Sequence, residues 1–239
     1  MFFNFVRPKI VVDAFTHIES IEKVTPIVQA SQYVPEWWKS LPKRCPYGNT
    51  SVEGLERATM RSCPAVMELF ATGLIIPLWA DLAIQTTDEG ACNWQWAGSI
   101  DINSSGIICH DRAQYGPAFS TYHQLKILSP WYLSDKTGTK FLFINSFWNQ
   151  LDILNSFHVC HGMVSYTVMP ETHINMLVDS KKINTIIPHK TPMVQLIPMT
   201  DKHVVVKTHV LTKEALDKKF SMPAFRHAFY NNLIKTMRG

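Results

Sequence analysis

Disulfide chemistry is the first thing this sequence lacks. Its five cysteines, at positions 45, 63, 92, 109 and 160, form an odd set with no Cys-x-x-Cys spacing, which excludes a disulfide-stapled scaffold. No staple is needed, because 239 residues suffice for a self-sufficient core in one large β domain or two small ones. A Walker A phosphate loop, a dinucleotide glycine fingerprint and a serine nucleophile elbow are absent too, which argues against phosphoryl transfer and Rossmann chemistry. So are internal repeats, low-complexity tracts and any linker long enough to free a second domain.

Excess charge is missing from the body of the chain. The net charge of +4 arises after Leu211, where six basic side chains (Lys213, Lys218, Lys219, Arg226, Lys235 and Arg238) face two acidic ones, and residues 1 to 211 balance at 17 against 17. A neutral body has no concentrated basic face for phosphates, so no nucleic acid partner is expected. An uninterrupted membrane span is also lacking. The longest apolar density, "TMRSCPAVMELFATGLIIPLWADLAI" at 59 to 84, contains Glu68, Pro77 and Asp81, each costly in a bilayer, and no membrane association is expected. The N-terminal "MFFNFVRPKIVVDAF" has no basic n-region and is broken by Asn4, Arg7 and Pro8, so cytoplasmic residence is expected rather than secretion.

What is present reads as order nearly throughout, with 46% hydrophobic and 18% charged residues. Pro64 suits the first turn of a helix over 64 to 72, capped by Ser62 or Cys63 and ended by Gly73. Leu78, Ala80, Leu82 and Ile84 then alternate as in a strand. Further strand patterns run over 93 to 102, 106 to 111, 122 to 133, 140 to 148, 157 to 169, 174 to 180, 183 to 188, 193 to 199 and 203 to 211. With so few helices between them, these strands must pair mostly antiparallel. The expected architecture is mostly β: an antiparallel sandwich or jelly-roll-like single domain over 1–239. It comprises an irregular N-terminal wrap (1–58) holding a strand at 9 to 15 and a short helix at "PEWWKSL", a β-rich core (59–211) and C-terminal helices (212–239). In that tail Thr212 caps "KEALDKKF", and Phe225, Phe229, Leu233 and Met237 recur as an apolar stripe that should dock on the parent sheet.

Two segments, "PIVQASQYVPEWWKSLP" (26 to 42) and the 59 to 84 stretch, resemble the N-terminal signature of a protein family of large tailed phages of aquatic bacteria, notably T4-like cyanophages, and of some bacteria. "HQLKILSPW" (123 to 131) and "TPMVQLIPM" (191 to 199) resemble the same pattern. None of these motifs is catalytic. The resemblance implies a phage or phage-like source and no particular chemistry.

Histidines are the most suggestive chemical groups. A cupin-like iron site needs two histidines and a carboxylate pointing inward, and His110 or Asp111 with His158, His173 or His209 would supply the donor types. The spacing departs from that pattern, because Asp111 follows His110 directly and an unbroken strand sends His158 and His161 to opposite faces. Ordinary, separately hydrogen-bonded histidines fit better. Cys160 beside His158 and His161, or Cys109 beside His110, could be proposed as nucleophiles, but neighbours on a strand diverge, and buried inert thiols are expected. Trp94 and Trp96 share one strand face, and Trp37 and Trp38 lie in a proline-bounded segment. Such rings near Asn, Gln and Asp can hold sugar rings or unstacked bases, or can pack the wrap onto the sheet.

The functional expectation is a phage-associated, non-enzymatic recognition or structural protein, without cofactor, holding a protein or glycan partner through Trp94, Trp96, Trp37 and Trp38. It would act in the cytoplasm of the infected host cell or in the virion. The alternative is a cupin-like, iron-dependent oxygenase.

Overall fold

The computed structural model describes residues 9–45, 58–87, 90–97, 106–150, 157–181, 183–221 and 235. Along this chain run β1 (Lys9–Thr16), β2 (Val28–Gln29), β3 (Leu74–Pro77), β4 (Leu82–Thr86), β5 (Cys92–Trp96), β6 (Ile107–His110), β7 (Tyr122–Ile127) and β8 (Tyr132–Asp135). They are followed by β9 (Lys140–Asn145), β10 (Phe157–Val159), β11 (Gly162–Ser165), β12 (Ile174–Asp179), β13 (Asn184–Ile187), β14 (Pro192–Pro198) and β15 (His203–Val210). The helices are α1 (Glu19–Val24), α2 (Glu36–Ser40), α3 (Pro64–Ala71) and α4 (Lys213–Phe220). The fold is thus mostly β, with a helix at the C-terminal end of the described chain.

The strands form four sheets, ordered β15-β1-β8, β10-β12-β7-β6, β11-β9-β14-β3-β2 and β13-β4-β5. Among the described residues every strand pairing is antiparallel except one, as the expectation of mostly antiparallel pairing requires. The exception is β1 with β15, in register from Lys9 opposite His203 to Thr16 opposite Val210. That parallel ladder joins residues nearly two hundred positions apart, so it fixes both ends of the described chain to one sheet. Period-two alternation explains how each sheet buries one face: Ile174, Met176 and Val178 of β12 point inward while their neighbours do not. One hydrophobic cluster draws from all four sheets, through residues such as Val12, Leu82, Leu125 and Leu196.

Several strand patterns that look continuous in sequence are broken at sheet corners. The alternation from Leu78 to Ile84 is not one strand: β3 ends at Pro77, and Leu78 to Asp81 turn the chain from the β14 sheet into the β13 sheet. Its regularity is coincidental, because Trp79 and Ala80 are both buried at the corner. Residues 122 to 133 likewise split into β7 and β8, in different sheets, and 157 to 169 split into β10 and β11. The helix at 64 to 72 forms as α3, with Pro64 in its first turn and Cys63 rather than Ser62 at its N-cap. The 59 to 84 stretch is therefore helix and two strands. Among the described residues no helix is long and apolar enough to cross a membrane.

Thr212 caps α4 through its hydroxyl, which accepts from the Ala215 N–H at 3.2 Å. The helix docks on the β15-β1-β8 sheet: Phe220 stacks with Tyr132 at 5.2 Å and meets Phe15 edge-on at 5.6 Å, and Lys219 Nζ sits 4.7 Å over the Phe15 ring. The stripe of Phe225, Phe229, Leu233 and Met237 lies outside the described residues.

Gly73, just past α3, has φ of +86°, and a Cβ there would stand 2.0 Å from the carbonyl oxygen of Leu196 on β14. The helix end can lie against that strand only because this residue has no side chain. Gly73→Ala is therefore expected to destabilise the protein by more than about 2 kcal/mol, since left-handed strain alone costs an alanine about 1–2 kcal/mol and the backbone clash adds to it. A thermal melt should show Tm lowered by at least about 4–8 °C for a chain of this size. An unchanged Tm would mean that the helix end does not approach β14 as described.

Candidate functional site

A cleft of about 440 Å3 opens where β9, α3, β10 and β14 meet. Its first wall is made where β9 ends. The chain turns at Ser146 into a single 3₁₀ turn, Phe147–Asn149, which is closed by the Asn149 N–H donating to the Ser146 carbonyl at 3.0 Å. Gln150 fastens this turn from behind: it is 1% exposed, and its Nε2 donates to the carbonyls of Pro192 at 2.6 Å and Met193 at 3.3 Å. Held at that base, the turn projects Phe147 and Trp148 into the cleft lining, and Phe147 stays 46% exposed.

The second wall is the last turn of α3, which contributes Leu69 and Phe70. Terminal helix carbonyls lack intrahelical donors. Gln195 of β14 answers that need, donating from Nε2 to the carbonyls of Leu69 at 2.7 Å and Thr72 at 2.8 Å, so the helix end is tied to the strand that forms the floor. The third wall carries His158 and Val159 of β10, and then His161. β10 stops at Val159 and the chain turns through Cys160 before β11 begins, so both imidazoles line the same cleft. The expectation of opposite faces assumed an unbroken strand and fails for that reason.

Rings and hydrogen-bonding groups alternate around this cleft. Phe70, Phe147 and Trp148 supply aromatic surface, while Asn145, Asn149, His158 and His161 supply donors and acceptors. No Asp, Glu, Lys or Arg occurs among its described lining residues. Asn145 Oδ1 is buried and has no hydrogen-bond partner among the described residues. A buried acceptor left in that state costs about 1–3 kcal/mol. A second cleft of about 460 Å3, between the end of α3 and the start of β15, is of a different kind: Glu68, Asp201, Lys202 and His203 line it, without Phe, Tyr or Trp.

The tryptophans singled out in the sequence fall into two places. Trp37 and Trp38 on α2 stand one layer behind the cleft. Trp37 Nε1–H donates to the Trp148 carbonyl at 3.0 Å with the two rings 5.9 Å apart, and Trp38 meets Phe70 edge-on at 5.3 Å. Each thus braces a ring that lines the cleft. Trp94 and Trp96 do share a strand face, but it is the inward one, opposite buried Ile84 and Leu82, and Trp96 stacks on Trp79 at 5.7 Å. The outward face of that sheet carries exposed Asn93, Gln95, Gln85 and Asn184 instead.

The residues of the alternative iron site do not come together. His110 on β6 and His158 on β10 occupy opposite edges of one four-stranded sheet, three strand spacings or roughly 14 Å apart at the backbone, far beyond shared metal ligation. His110 Nδ1 meets Gln114 Oε1 at 2.6 Å, and Asp111 Oδ1 accepts the Ala113 N–H at 2.8 Å in a local turn. His173 enters β12 half-buried. His209 lies in another sheet, its Nε2 2.8 Å from Asp13 Oδ1 and its ring stacked on Phe15 at 4.7 Å. Among the described residues no three His, Cys, Asp or Glu side chains form a metal-binding group. One further acid–imidazole pair was not foreseen. Asp81 takes both the backbone N–H of His189 at 2.6 Å and its Nδ1 at 3.0 Å, and these bonds hold the carboxyl below its ordinary range.

The thiols are less buried than expected: Cys109 is exposed and the other four are half-buried. Burial nonetheless raises the Cys160 thiol, and burial with the nearby Cys109 pushes Cys92 up to about 11. Both shifts disfavour the thiolate, which is the nucleophilic form.

Comparison with known protein families, with curated proteins and with solved structures finds no match to this chain.

Two outcomes follow from this geometry. In a brief iodoacetamide pulse at pH 8 followed by peptide mass mapping, Cys109 should be alkylated ahead of Cys92 and Cys160. Faster labelling at Cys160 would contradict its raised thiol. Trp37→Phe, which keeps the ring but removes the donor to Trp148, should lower stability by about 1 kcal/mol, seen as a shifted urea midpoint at constant slope. A midpoint equal to that of the parent would show that the bond does not hold the turn.

Proposed function

We propose that this chain is a non-enzymatic recognition protein of a phage, acting in the infected cell or in the virion, and that the aromatic cleft between Trp148, Phe70 and His158 holds its ligand. One observation carries the reading: three aromatic residues, three amide residues and two histidines line a space of ligand size, with no Asp, Glu, Lys or Arg among the described lining. The phage assignment rests on the segments at 26 to 42, 59 to 84, 123 to 131 and 191 to 199. A binding role is favoured over catalysis because the described lining groups include no carboxylate to orient or charge either imidazole. They offer apolar area and hydrogen bonds, and burial disfavours the thiolate of the nearby Cys160. The recognition surface differs from the sequence expectation. Trp37 and Trp38 support it, and Phe147, Trp148, Asn145, Asn149, His158 and His161 form it.

Saturation-transfer NMR tests the reading with a panel of small molecules of several classes: sugars, nucleosides, amino acids and short fatty acids. At least one class should give signals with the parent protein that vanish with Trp148→Ala, and its spectrum should be unaltered after a day with the protein. Conversion of the compound would establish an enzyme instead. The absence of any Trp148-dependent signal would remove the cleft from consideration.

A further inference from the structure

Resting on that reading, we infer that the ligand of the cleft is a neutral saccharide, held with a sugar ring against the aromatic wall and its hydroxyls on the amides and imidazoles. The reasoning is one of matching chemistry. A pyranose has an apolar C–H face and a periphery of hydroxyls, each of which both donates and accepts. The cleft offers the complement: Phe147 and Trp148 as flat apolar surface, and Asn145, Asn149, His158 and His161, whose side chains between them both donate and accept.

Several other small-molecule classes fit less well. An anionic ligand, whether phosphorylated or carboxylated, calls for arginine, lysine or a helix N-terminus. The described lining has no Lys or Arg, and α3 meets the cleft with its C-terminal turn, whose partial negative charge disfavours anions. A compact, strongly hydrated ammonium calls for a carboxylate, and the described lining has none. A fatty chain would cover the rings but desolvate the exposed His158 and His161 without giving them hydrogen-bond partners. A nucleobase would stack on the same rings and hydrogen-bond through its edges, and adenosine in the panel below separates it from a sugar.

The test titrates the full chain with neutral trisaccharides of glucose and of N-acetylglucosamine, a phosphorylated sugar, glucosamine, adenosine and a short fatty acid, followed by saturation-transfer NMR. At least one neutral trisaccharide is expected to bind saturably, at least about tenfold more tightly than the phosphorylated sugar, and without weakening as salt is raised well above physiological strength. His158→Leu, which removes the hydrogen-bonding nitrogens of an exposed lining residue, should reduce affinity by about tenfold, the equivalent of one net hydrogen bond. Trp148→Ala should abolish binding, and Phe147→Ala, at an exposed ring, serves as a second variant should Trp148→Ala fail to fold by circular dichroism. The saccharide assignment is overturned if the phosphorylated sugar binds more tightly than the neutral ones, or if salt weakens binding. It is also overturned if adenosine, glucosamine or the fatty acid alone gives a ring-dependent signal, and in that case the recognition reading survives. If no probe of any class gives a signal lost with Trp148→Ala or Phe147→Ala, both readings fall.

Discussion

The contact between the end of α3 and the buried strand β14 is the constraint on which the candidate site depends. Gly73 brings its backbone against the Leu196 carbonyl, closer than any side chain permits. Beside it, Gln195 gives both hydrogens of its amide to the carbonyls of Leu69 and Thr72. Three residues back along the same strand, the carbonyls of Pro192 and Met193 receive the Gln150 amide and so hold the turn that carries Phe147 and Trp148. Two walls of the cleft are therefore fastened to one strand by two glutamines. These bonds are buried, where an amide without partners is costly, and that cost is what makes the positions of the walls rigid.

Bracing comes from the opposite side through α2. A five-residue helix has little stability of its own, and this one has no side-chain N-cap bond. Its place is set by tertiary contacts, chiefly two adjacent tryptophans that reach different rings of the cleft. Adjacent residues on a helix point about 100° apart, which is why Trp37 can reach the 3₁₀ turn while Trp38 reaches α3. The segment that wraps the sheet thus also sets the width of the cleft. Among its described lining the histidines are the sole titratable side chains.

Histidines and cysteines attract attention in this sequence, yet the fold disperses them. His110 and His158 sit at opposite edges of one sheet, and His209 pairs with Asp13 across the parallel ladder. Closeness in sequence was a poor guide because the strands break where they were expected to continue. The same break at Cys160 had the reverse effect on His158 and His161, bringing to one cleft two side chains that an unbroken strand would have separated.

The elements themselves were legible from local chemistry. Strand-forming residue patterns announced β1, β12 and β15, Pro64 and Gly73 bounded α3, and Thr212 capped α4. These features are local: a dihedral preference, a cap or a two-residue period is decided within a few residues. The corners, the parallel pairing of residues 9–16 with 203–210 and the cleft were settled only by tertiary structure. Residues 69–70, 145–149, 158–161 and 195 meet because four sheets share one core, and the burial that selects those partners is summed over side chains far apart in the chain. "NSFWN" at 145 to 149 carried a faint local signal, since adjacent Phe and Trp flanked by Ser and Asn fit neither a buried strand nor an amphipathic one. What that signal meant depended on α3, β10 and β14 arriving around it, which no local pattern specifies.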